Sequence, residues 1–433
     1  MGSMILRSDT IFDGTGRDVY AGYLIIESGK IREVCEGGLP KEYERESERV
    51  IDLTGKVICP GFADVHTFFT GHALSHGGIQ AKEGIPYETL RENLNDRPFI
   101  EKEWKDYMQL LNSRGVTSVK EMGFDDYAGF TDFLKEKEEK GELSLRVSFM
   151  SQPDSQPVNI GYGKAMTEKF TGEYVRFSGY NHMTDGTIAS GAGELKKPYE
   201  GTNITCYQEV DWAGLEEAAL KADAAGFRYS LHAQGDGAVK KTLDIFEKCQ
   251  KNPDGTLKNR HAITDLELTD PEDLERMGRL GVVAEIYPQI MCLDPGDVVR
   301  GNIQRTIGPD RGKYNWNRRK MIDSGVIVSC GTDLPLMIPH MGESIYHACG
   351  GYFPEGGEPL NPQNTITVKE LLRAWTWGGQ YDLYRERELG TLEPGKLADI
   401  AVLAENVFEK DPKDLKGLKV SMTIVGGKIV YEG

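Results

Sequence analysis

The stretch FRYSLHAQGDGAVKKTLDIFE, residues 227–247, predicts a β-strand that passes through a glycine-containing turn into a helix. Seven more short apolar runs occur along the middle of the chain, and helix-like stretches separate them. They are VICPGFADVH (57–66), VTSVKEMG (116–123), LRVSFMS (145–151), VRFSGYNHM (175–183), RHAIT (260–264), VVAEIYP (282–288) and VIVSCGTD (326–333). Regular alternation of strands and helices is typical of an α/β domain with a parallel sheet.

Glycines between the helix-like and strand-like runs support this alternation. Gly115, Gly226, Gly281 and Gly325 each follow a helix-like run and precede a predicted strand. A glycine there ends the helix in the left-handed conformation and turns the chain into the next strand. Eight such units fit a (β/α)8 TIM barrel, which we place at residues 57–385. An open doubly wound sheet is the alternative, and the lack of a Gly-rich phosphate turn after the first strand argues against it.

The two ends of the chain resemble each other more than they resemble the middle. LIIESGKIREV (24–34) and MTIVGGKIVYEG (422–433) both read as strand, tight glycine turn and strand. GTLEPGKLADIAVL (390–403) is again rich in strand and turn residues. We therefore expect residues 4–56 and 386–433 to form one small β-sandwich domain beside the barrel. Two unrelated hairpins are the alternative.

Composition restricts the class of protein and its partners. The chain has 433 residues, 39% of them hydrophobic and 27% charged, with a net charge of -17. The acidic balance argues against a nucleic-acid or anionic-membrane surface, and no apolar run approaches the ~20 residues that span a bilayer. Seven widely spaced cysteines without a Cys-x-x-Cys pair predict free thiols in a reducing cytoplasm. We expect a cytoplasmic protein that binds a small-molecule substrate and forms a homodimer.

Four side chains at predicted strand ends could carry chemistry. His66, His232 and His261 lie at or beside the ends of the first, fifth and sixth strands, and Asp333 ends the eighth. Catalytic groups of such barrels lie at the C-terminal ends of the strands. Imidazole and carboxylate are ligands of divalent metals such as Zn²⁺, and a catalytic site keeps one position for water. Each group alone is more often a buried polar residue, but four at four strand ends predict a site.

Several motifs resemble those of one family. CPGFADVHTF (59–68), SLHAQGDGAVKKTLDIFE (230–247), the segment 260–289, GTDLPL (331–336) and LGTLEPGKLADIAVL (389–403) are similar to the amidohydrolase superfamily, in particular the branch that includes N-substituted formamide deformylase. The resemblance covers nearly the whole chain. It implies a metal-assisted hydrolase whose ligands are His66, His232, His261 and Asp333, with Asp333 also taking a proton from the attacking water.

Two positions depart from the pattern of that family. Phe68 replaces the second histidine of the first-strand His-x-His motif, and Asn181 replaces a lysine that bridges two metals when carbamylated. One terminal ligand and the bridge are therefore missing together, so we do not expect a binuclear centre. No organic cofactor is expected.

Three arrangements of the site remain open. One divalent metal, Zn or Mn, could be bound by His232, His261 and either Asp333 or His66, with Asn181 or a water completing the shell. His182 or His72 could enter the vacant positions, although a regular strand directs His182 away from Asn181. In the third arrangement the histidines and Asp333 act without metal as acid–base and oxyanion-stabilising groups.

The sequence supports three functional hypotheses. The first is a hydrolase of a small cyclic or amide-type substrate, with Asp333 as general base and with His232 and His261 holding the metal or polarising the substrate carbonyl. Asn181, His182, His72 and Tyr287 would contact the substrate. The second is a metal-poor enzyme that performs C–C hydrolysis, lyase, hydratase or isomerase chemistry beside a carbonyl. The third is a non-catalytic scaffold, against which the retention of His232, His261 and Asp333 speaks.

Overall fold

The computed structural model describes residues 3–77, 92–123, 130–152 and 157–433. Sixteen strands are described, and they form two sheets. The strands are β1 Met4–Ile11, β2 Tyr20–Glu27, β3 Lys30–Glu36, β4 Arg49–Asp52, β5 Val57–Pro60, β6 Phe62–Thr67, β7 Val116–Glu121, β8 Arg146–Ser151, β9 Val175–Met183, β10 Tyr229–Ala233, β11 Ala262–Asp265, β12 Val283–Ile286, β13 Ile327–Cys330, β14 Ile400–Leu403, β15 Val420–Val425 and β16 Lys428–Glu432.

Helices connect the strands of the central domain. The α-helices are Lys41–Glu46, Phe69–His76, Arg97–Ser113, Thr131–Glu139, Ile160–Lys169, Trp212–Ala224, Asp236–Phe246, Pro271–Leu280, Gly296–Thr306, Gly308–Gly312, Arg318–Asp323, Met341–Ala348, Val368–Arg373 and Gly379–Asp382. A π-helix covers Ala374–Gly378, and short 3-10 helices cover Ile290–Cys292, Pro362–Asn364 and Pro412–Leu415. Among the described residues, no helix combines the length and apolarity needed to cross a bilayer.

Strands β6 to β13 form the barrel, each paired in parallel with the next along the chain. The barrel closes between β6 and the residues that follow β13. There the Asp333 N–H donates to the His66 carbonyl at 2.9 Å, and the Phe68 N–H donates to the Leu334 carbonyl at 2.8 Å. The predicted (β/α)8 barrel is confirmed, because eight parallel strands with helical crossovers return to the first strand.

The helix-ending glycines have the predicted conformation. Gly115, Gly226, Gly281 and Gly325 all have positive φ angles. The helix Pro271–Leu280 shows the complete pattern, because the Asp270 carboxylate accepts the Glu272 N–H at its start and Gly281 ends it at φ 69°. These local signals end each helix and turn the chain into the strand that follows it.

Strands from both ends of the chain pair into a second sheet. Its order is β16-β15-β14-β5-β1-β2-β3, and β4 pairs with β1. The predicted first strand, residues 57–66, is divided at Gly61, so that β5 joins this sheet and β6 begins the barrel. Arg146 joins the two sheets, because its guanidinium contacts the Asp399 carboxylate at 2.7 and 2.9 Å. The boundaries of the predicted sandwich domain stay a prediction.

Four charged side chains contact one another in the barrel interior, and we call Lys120, Arg228, Glu285 and Asp382 the waist network. All four side chains are fully buried. Lys120 Nζ contacts the Glu285 carboxylate and lies 3.0 Å from the Asp382 carboxylate. The Arg228 guanidinium contacts Asp382 and lies 3.3 Å from Glu285 Oε1. Two positive and two negative charges compensate one another here, which a buried charge requires.

Candidate active site at the barrel mouth

His66 and Asp333 meet at the seam where the barrel closes. His66 is buried near the end of β6, and its Nε2 lies 3.9 Å from Asp333 Oδ1. Gly331 permits this approach, because a Cβ atom there would lie only 2.7 Å from the His66 Cβ. The other ring nitrogen, Nδ1, lies 3.8 Å from Glu285 Oε2, which connects the mouth to the waist network. The ring of Tyr287 packs edge-on against His66, with 5.6 Å between ring centroids.

A second imidazole–carboxylate pair consists of His232 and Asp265. His232 lies in β10, and its Nε2 is 3.3 Å from Asp265 Oδ2. Gln234 Nε2 donates to the same carboxylate oxygen at 2.5 Å. The Asp185 carboxylate holds the turn after β10, because it accepts the N–H groups of Gln234 and Gly235 at 2.9 and 2.8 Å. The turn after β10, which lies within residues 227–247, therefore holds the His232–Asp265 pair in place.

Burial and neighbouring charges alter the titration of these groups. Burial alone would lower the pKa of His232, but the hydrogen bond and charge of Asp265 outweigh it and raise that pKa. Burial raises the pKa of Asp333, although nearby His66 opposes the rise. Burial and the adjacent carboxylates raise the pKa of Tyr287 well above its usual range. The mouth thus combines an imidazole that favours its charged form with a carboxylate of increased basicity.

The structure places His261 away from the mouth, and its predicted roles as ligand and catalytic group stay predictions. His261 precedes the first residue of β11 and faces outward. Its Nδ1 accepts the Tyr229 N–H at 2.9 Å, its Nε2 lies 3.0 Å from Asp223 Oδ1, and its ring stacks on Phe246. Both ring nitrogens are engaged between the barrel and its helices, at the strand end opposite the mouth.

Asp265, rather than His261, lies at the mouth end of β11. It is the last residue of β11, and its φ of 79° turns the backbone so that the carboxylate reaches His232. The preceding Thr264 faces the lumen, where its hydroxyl donates to Glu285 at 2.9 Å. The signal was present in the sequence, because Asp265 is the acidic residue at the C-terminal end of the sixth strand. The predicted strand ended one residue too early.

Two of the predicted substrate contacts also lie elsewhere. His182 faces outward from β9, with its Nδ1 2.9 Å from the Tyr229 hydroxyl and its ring stacked on Tyr229. His72 lies in the helix after β6 and packs against His76 and Tyr107. Strand parity explains the first case, because residues next to a lumen-facing residue point to the helices. Neither histidine lies beside His66 or His232 in this structure, and their predicted contact with the substrate stays a prediction.

Asn181 and Tyr287 keep their predicted places near the lumen. Asn181 is buried in β9; its Nδ2 donates to Gln152 Oε1 at 2.9 Å, and its Oδ1 has no partner. Tyr287 follows β12 and packs against His66. Their role as substrate contacts stays a prediction.

The mouth residues have the donor types that a divalent cation requires. The separations of 3.3 Å in His232–Asp265 and 3.9 Å in His66–Asp333 suit two ligands of one ion, since each ligand atom would lie about 2 Å from the metal. In the described part of the chain, however, the compact groups of three ligand atoms lie elsewhere. They are Asp223/Cys249/His261 and His76/Glu103/Asp106. The mouth therefore fits a cation by donor chemistry, in two pairs rather than in one compact group.

Comparison with known proteins identifies the family. A sequence profile of the amidohydrolase family matches residues 79–431. Because this match covers most of the chain, the chain belongs to the amidohydrolase family, and the resemblance inferred from the motifs is confirmed.

Two curated relatives agree with this family. The chain is 28% identical over 270 residues to the putative amidohydrolase YtcJ of Bacillus subtilis, which covers 61% of the chain and 49% of that protein. It is 28% identical over 250 residues to the N-substituted formamide deformylase of Arthrobacter pascens, covering 54% of the chain and 41% of that protein. The chain thus spans about half the length of these relatives.

A solved structure shares the fold. An uncharacterized metal-dependent hydrolase from Pyrococcus horikoshii superposes with a TM-score of 0.72 at 19% identity. The superposition covers 96% of this chain and 99% of the other. The likeness supports the combination of a barrel and a terminal sheet.

Proposed function

We propose that this protein is a hydrolase that opens a small amide-type or cyclic substrate at the barrel mouth. One observation carries the proposal: two imidazole–carboxylate pairs, His66–Asp333 and His232–Asp265, lie at the C-terminal ends of the strands. Family membership and the amide substrate named for one relative support the same chemistry. A cavity beside Asp265 and Gln234 gives the substrate a place to bind.

Asp333 is the proposed general base. Its side chain is 29% exposed, so a water molecule can reach the carboxylate, while burial raises its pKa and makes it a stronger base. His66 lies close enough to stabilise the carboxylate and orient it. Asp333 would take a proton from the attacking water and return it to the leaving nitrogen.

His232 is the proposed electrophilic group. Asp265 raises the pKa of its imidazole and holds the ring, and His232 Nδ1 has no protein partner. A protonated imidazole stabilises the negative charge that develops on the carbonyl oxygen during attack. If a divalent cation is bound, His66, His232, Asp265 and Asp333 would hold it, and it would polarise the carbonyl and lower the pKa of water.

Asp333→Asn tests the base. The variant should retain its fold and lose about 10²- to 10⁴-fold in kcat/KM on the best substrate from a panel of cyclic amides and N-formyl amines. Asp310→Asn, a change of the same charge at an exposed helix position, is the control and should keep full activity. Undiminished turnover by Asp333→Asn would show that another group is the base.

A metal-poor enzyme is the second candidate, and the His232–Asp265 pair favours it. A paired imidazole can move protons next to a carbonyl without a cation, which suits C–C hydrolysis, lyase, hydratase or isomerase chemistry. Elemental analysis of the purified protein, with activity measured before and after chelation and on re-addition of Zn²⁺ or Mn²⁺, separates the two. Loss of turnover on chelation and its return with metal support a metal-assisted hydrolase. Unchanged turnover after chelation supports the second candidate.

The cytoplasmic location and the homodimer stay predictions. Sedimentation of the purified protein at several concentrations would test the homodimer.

A further inference from the structure

A cavity of about 250 Å³ opens beside Asp265 and Gln234. It lies between residues 187–189, which follow β9, and residues 290–307, which follow β12. Its walls are mainly apolar: Ile188, Ile290, Val299, Ile303, Ile307 and the ring of Trp316. Sites that hold a whole drug-sized ligand usually measure ~300–1,000 Å³, so this cavity suits one end of a small molecule.

The ionisable groups that line the cavity are all carboxyl groups. They belong to Asp265, Glu267 and Asp294, and the described lining residues include no lysine, arginine or histidine. Burial and the nearby Asp265 raise the pKa of Glu267 to about 8, so near neutral pH this side chain mostly offers a neutral carboxyl group. The nearest basic group in the site, His232, is already paired with Asp265. An anionic ligand would meet only like charge here, whereas a cation would find carboxylates.

Two unpartnered acceptors point to the same kind of ligand, beside one unpartnered donor, Trp316 Nε1. Asn315 is 2% exposed and lines the cavity, and its Oδ1 has no hydrogen-bond partner. Gln234 Oε1 is also buried without a partner. The amide nitrogen of the same side chain donates to Asp265, so the oxygen points away from that carboxylate. A buried acceptor without a donor costs about 1–3 kcal/mol, so a ligand that brings N–H groups gains by pairing with these oxygens.

We propose that this cavity binds an apolar group bearing a protonated amine, and that this group is the distal end of the substrate. The substrate would then be a small amide or cyclic amide with an amine-bearing alkyl or aryl substituent, not one ending in a carboxylate. The claim that the bound group is part of the substrate rests on the proposed function. The binding preference of the cavity can be measured without turnover.

Three probes of similar size separate the charge states: benzylamine, benzyl alcohol and benzoate. In calorimetry with the purified protein, benzylamine should bind roughly tenfold or more tightly than benzyl alcohol, and benzoate should bind most weakly. Equal or tighter binding of benzoate would overturn the proposal.

Variants connect the preference to the cavity. Asp294→Asn removes an exposed carboxylate that lines the cavity, so it should weaken benzylamine binding by roughly threefold and leave benzyl alcohol unchanged. Asp297→Asn is the matched control, because Asp297 is an exposed carboxylate on the helix that forms one wall but does not line the cavity. Ile303→Lys places a cation in the cavity from a helix surface position and should reverse the order of benzylamine and benzoate. If Asp294→Asn leaves benzylamine binding unchanged and Ile303→Lys does not reverse the order of the probes, the probes bind elsewhere and the proposal is wrong.

Turnover distinguishes the failure of this inference from the failure of the proposed function. Amides that share one scissile bond and carry an amine, hydroxyl or carboxylate at the far end should be hydrolysed fastest in the amine series. Hydrolysis without that preference would overturn the inference and keep the hydrolase. Tight amine binding without hydrolysis of any amide would support the cavity's ligand and overturn the hydrolase.

Discussion

The barrel interior contains two groups of ionisable side chains that differ in how completely they are satisfied. In the waist network, two basic and two acidic side chains have no exposure and contact one another. At the mouth, His66 and His232 each keep one ring nitrogen without a hydrogen-bond partner, and Asp333 is partly open to solvent. The waist network leaves Arg228 Nε without a hydrogen-bond partner but compensates its charges, whereas the mouth keeps imidazole nitrogens and a partly exposed carboxylate available to a ligand.

Lys120→Met should break the waist network and produce the largest effect. The change leaves Glu285 and Asp382 buried with Arg228 as their remaining cation. Removing one partner of a buried ion pair typically costs about 3–5 kcal/mol, which should appear as a lower denaturant midpoint. Lys240→Met, which removes a half-exposed ion pair with Asp244, is the control and should barely change the midpoint. Equal stability of the two variants would mean that the waist is not structural.

Glu121, the neighbour of Lys120 in β7, is a buried carboxyl group without a positively charged partner among the described residues. Its carboxylate faces outward and accepts only from neutral donors: the Thr67 hydroxyl, the Phe69 N–H and the Tyr107 hydroxyl. Burial raises the pKa of Glu121 to about 7, although these hydrogen bonds oppose the rise.

The raised pKa of Glu121 means that the free energy of unfolding falls as the pH rises. The unfolded chain releases this proton near pH 4.3, whereas the folded protein holds it until about pH 7. The stability contribution is therefore complete below about pH 4 and is lost as the pH rises through about 7, by on the order of 3 kcal/mol. Glu121→Gln should reduce this slope by the share of one carboxyl group in denaturation experiments, because burial also raises the pKa of Asp64 to about 7 and that of Glu267 to about 8. The exposed Glu217→Gln should keep the full slope. An unchanged slope in Glu121→Gln would assign the pH dependence to another group.

Asp265→Asn tests the mouth. The amide cannot hold a positive charge on His232, so kcat should fall by roughly 10²-fold. The free energy of unfolding should change little, because Gln234 can still bind the amide oxygen. Circular dichroism and a denaturation curve check the fold while steady-state kinetics give kcat. A variant that loses stability but keeps its activity would place Asp265 with the structural groups.

Asp223→Asn is the matched change at a histidine–carboxylate pair outside the lumen. Asp223 accepts from Asn259 and the Gln250 N–H as well as facing His261. Loss of its charge should reduce stability by about 1–2 kcal/mol and leave kcat per folded molecule unchanged. A fall in kcat comparable to that of Asp265→Asn would show that the Asp223–His261 pair takes part in catalysis.

The fold was predictable because its signals are local. Each βα unit shows a short apolar run, a helix-like stretch and a glycine that adopts positive φ, and these features act within about 20 residues. The split of the first predicted strand at Gly61 was not predictable in this way. Its cause is the pairing of β5 with β14, a partner that lies more than 300 residues away in the sequence.

The site was predictable in part. His66, His232 and Asp333 lie at the mouth as their strand-end positions indicated. His261 was misplaced because the length of a short strand decides which of its residues reaches the mouth, and that length depends on the neighbouring strands. Asp265 enters the site through a left-handed backbone angle that no residue type requires at that position.

The sequence by itself determined the barrel, the family and the types of side chain available for chemistry. Periodicity, glycine turns and motif residues are properties of short segments, so they are readable without the fold. Only the tertiary structure decided which imidazole meets which carboxylate, which charges compensate one another and which acceptors remain unpaired. The physical reason is that a parallel barrel brings strand ends from all along the chain to one edge, and the parity and exact end of each strand select the side chains that meet there.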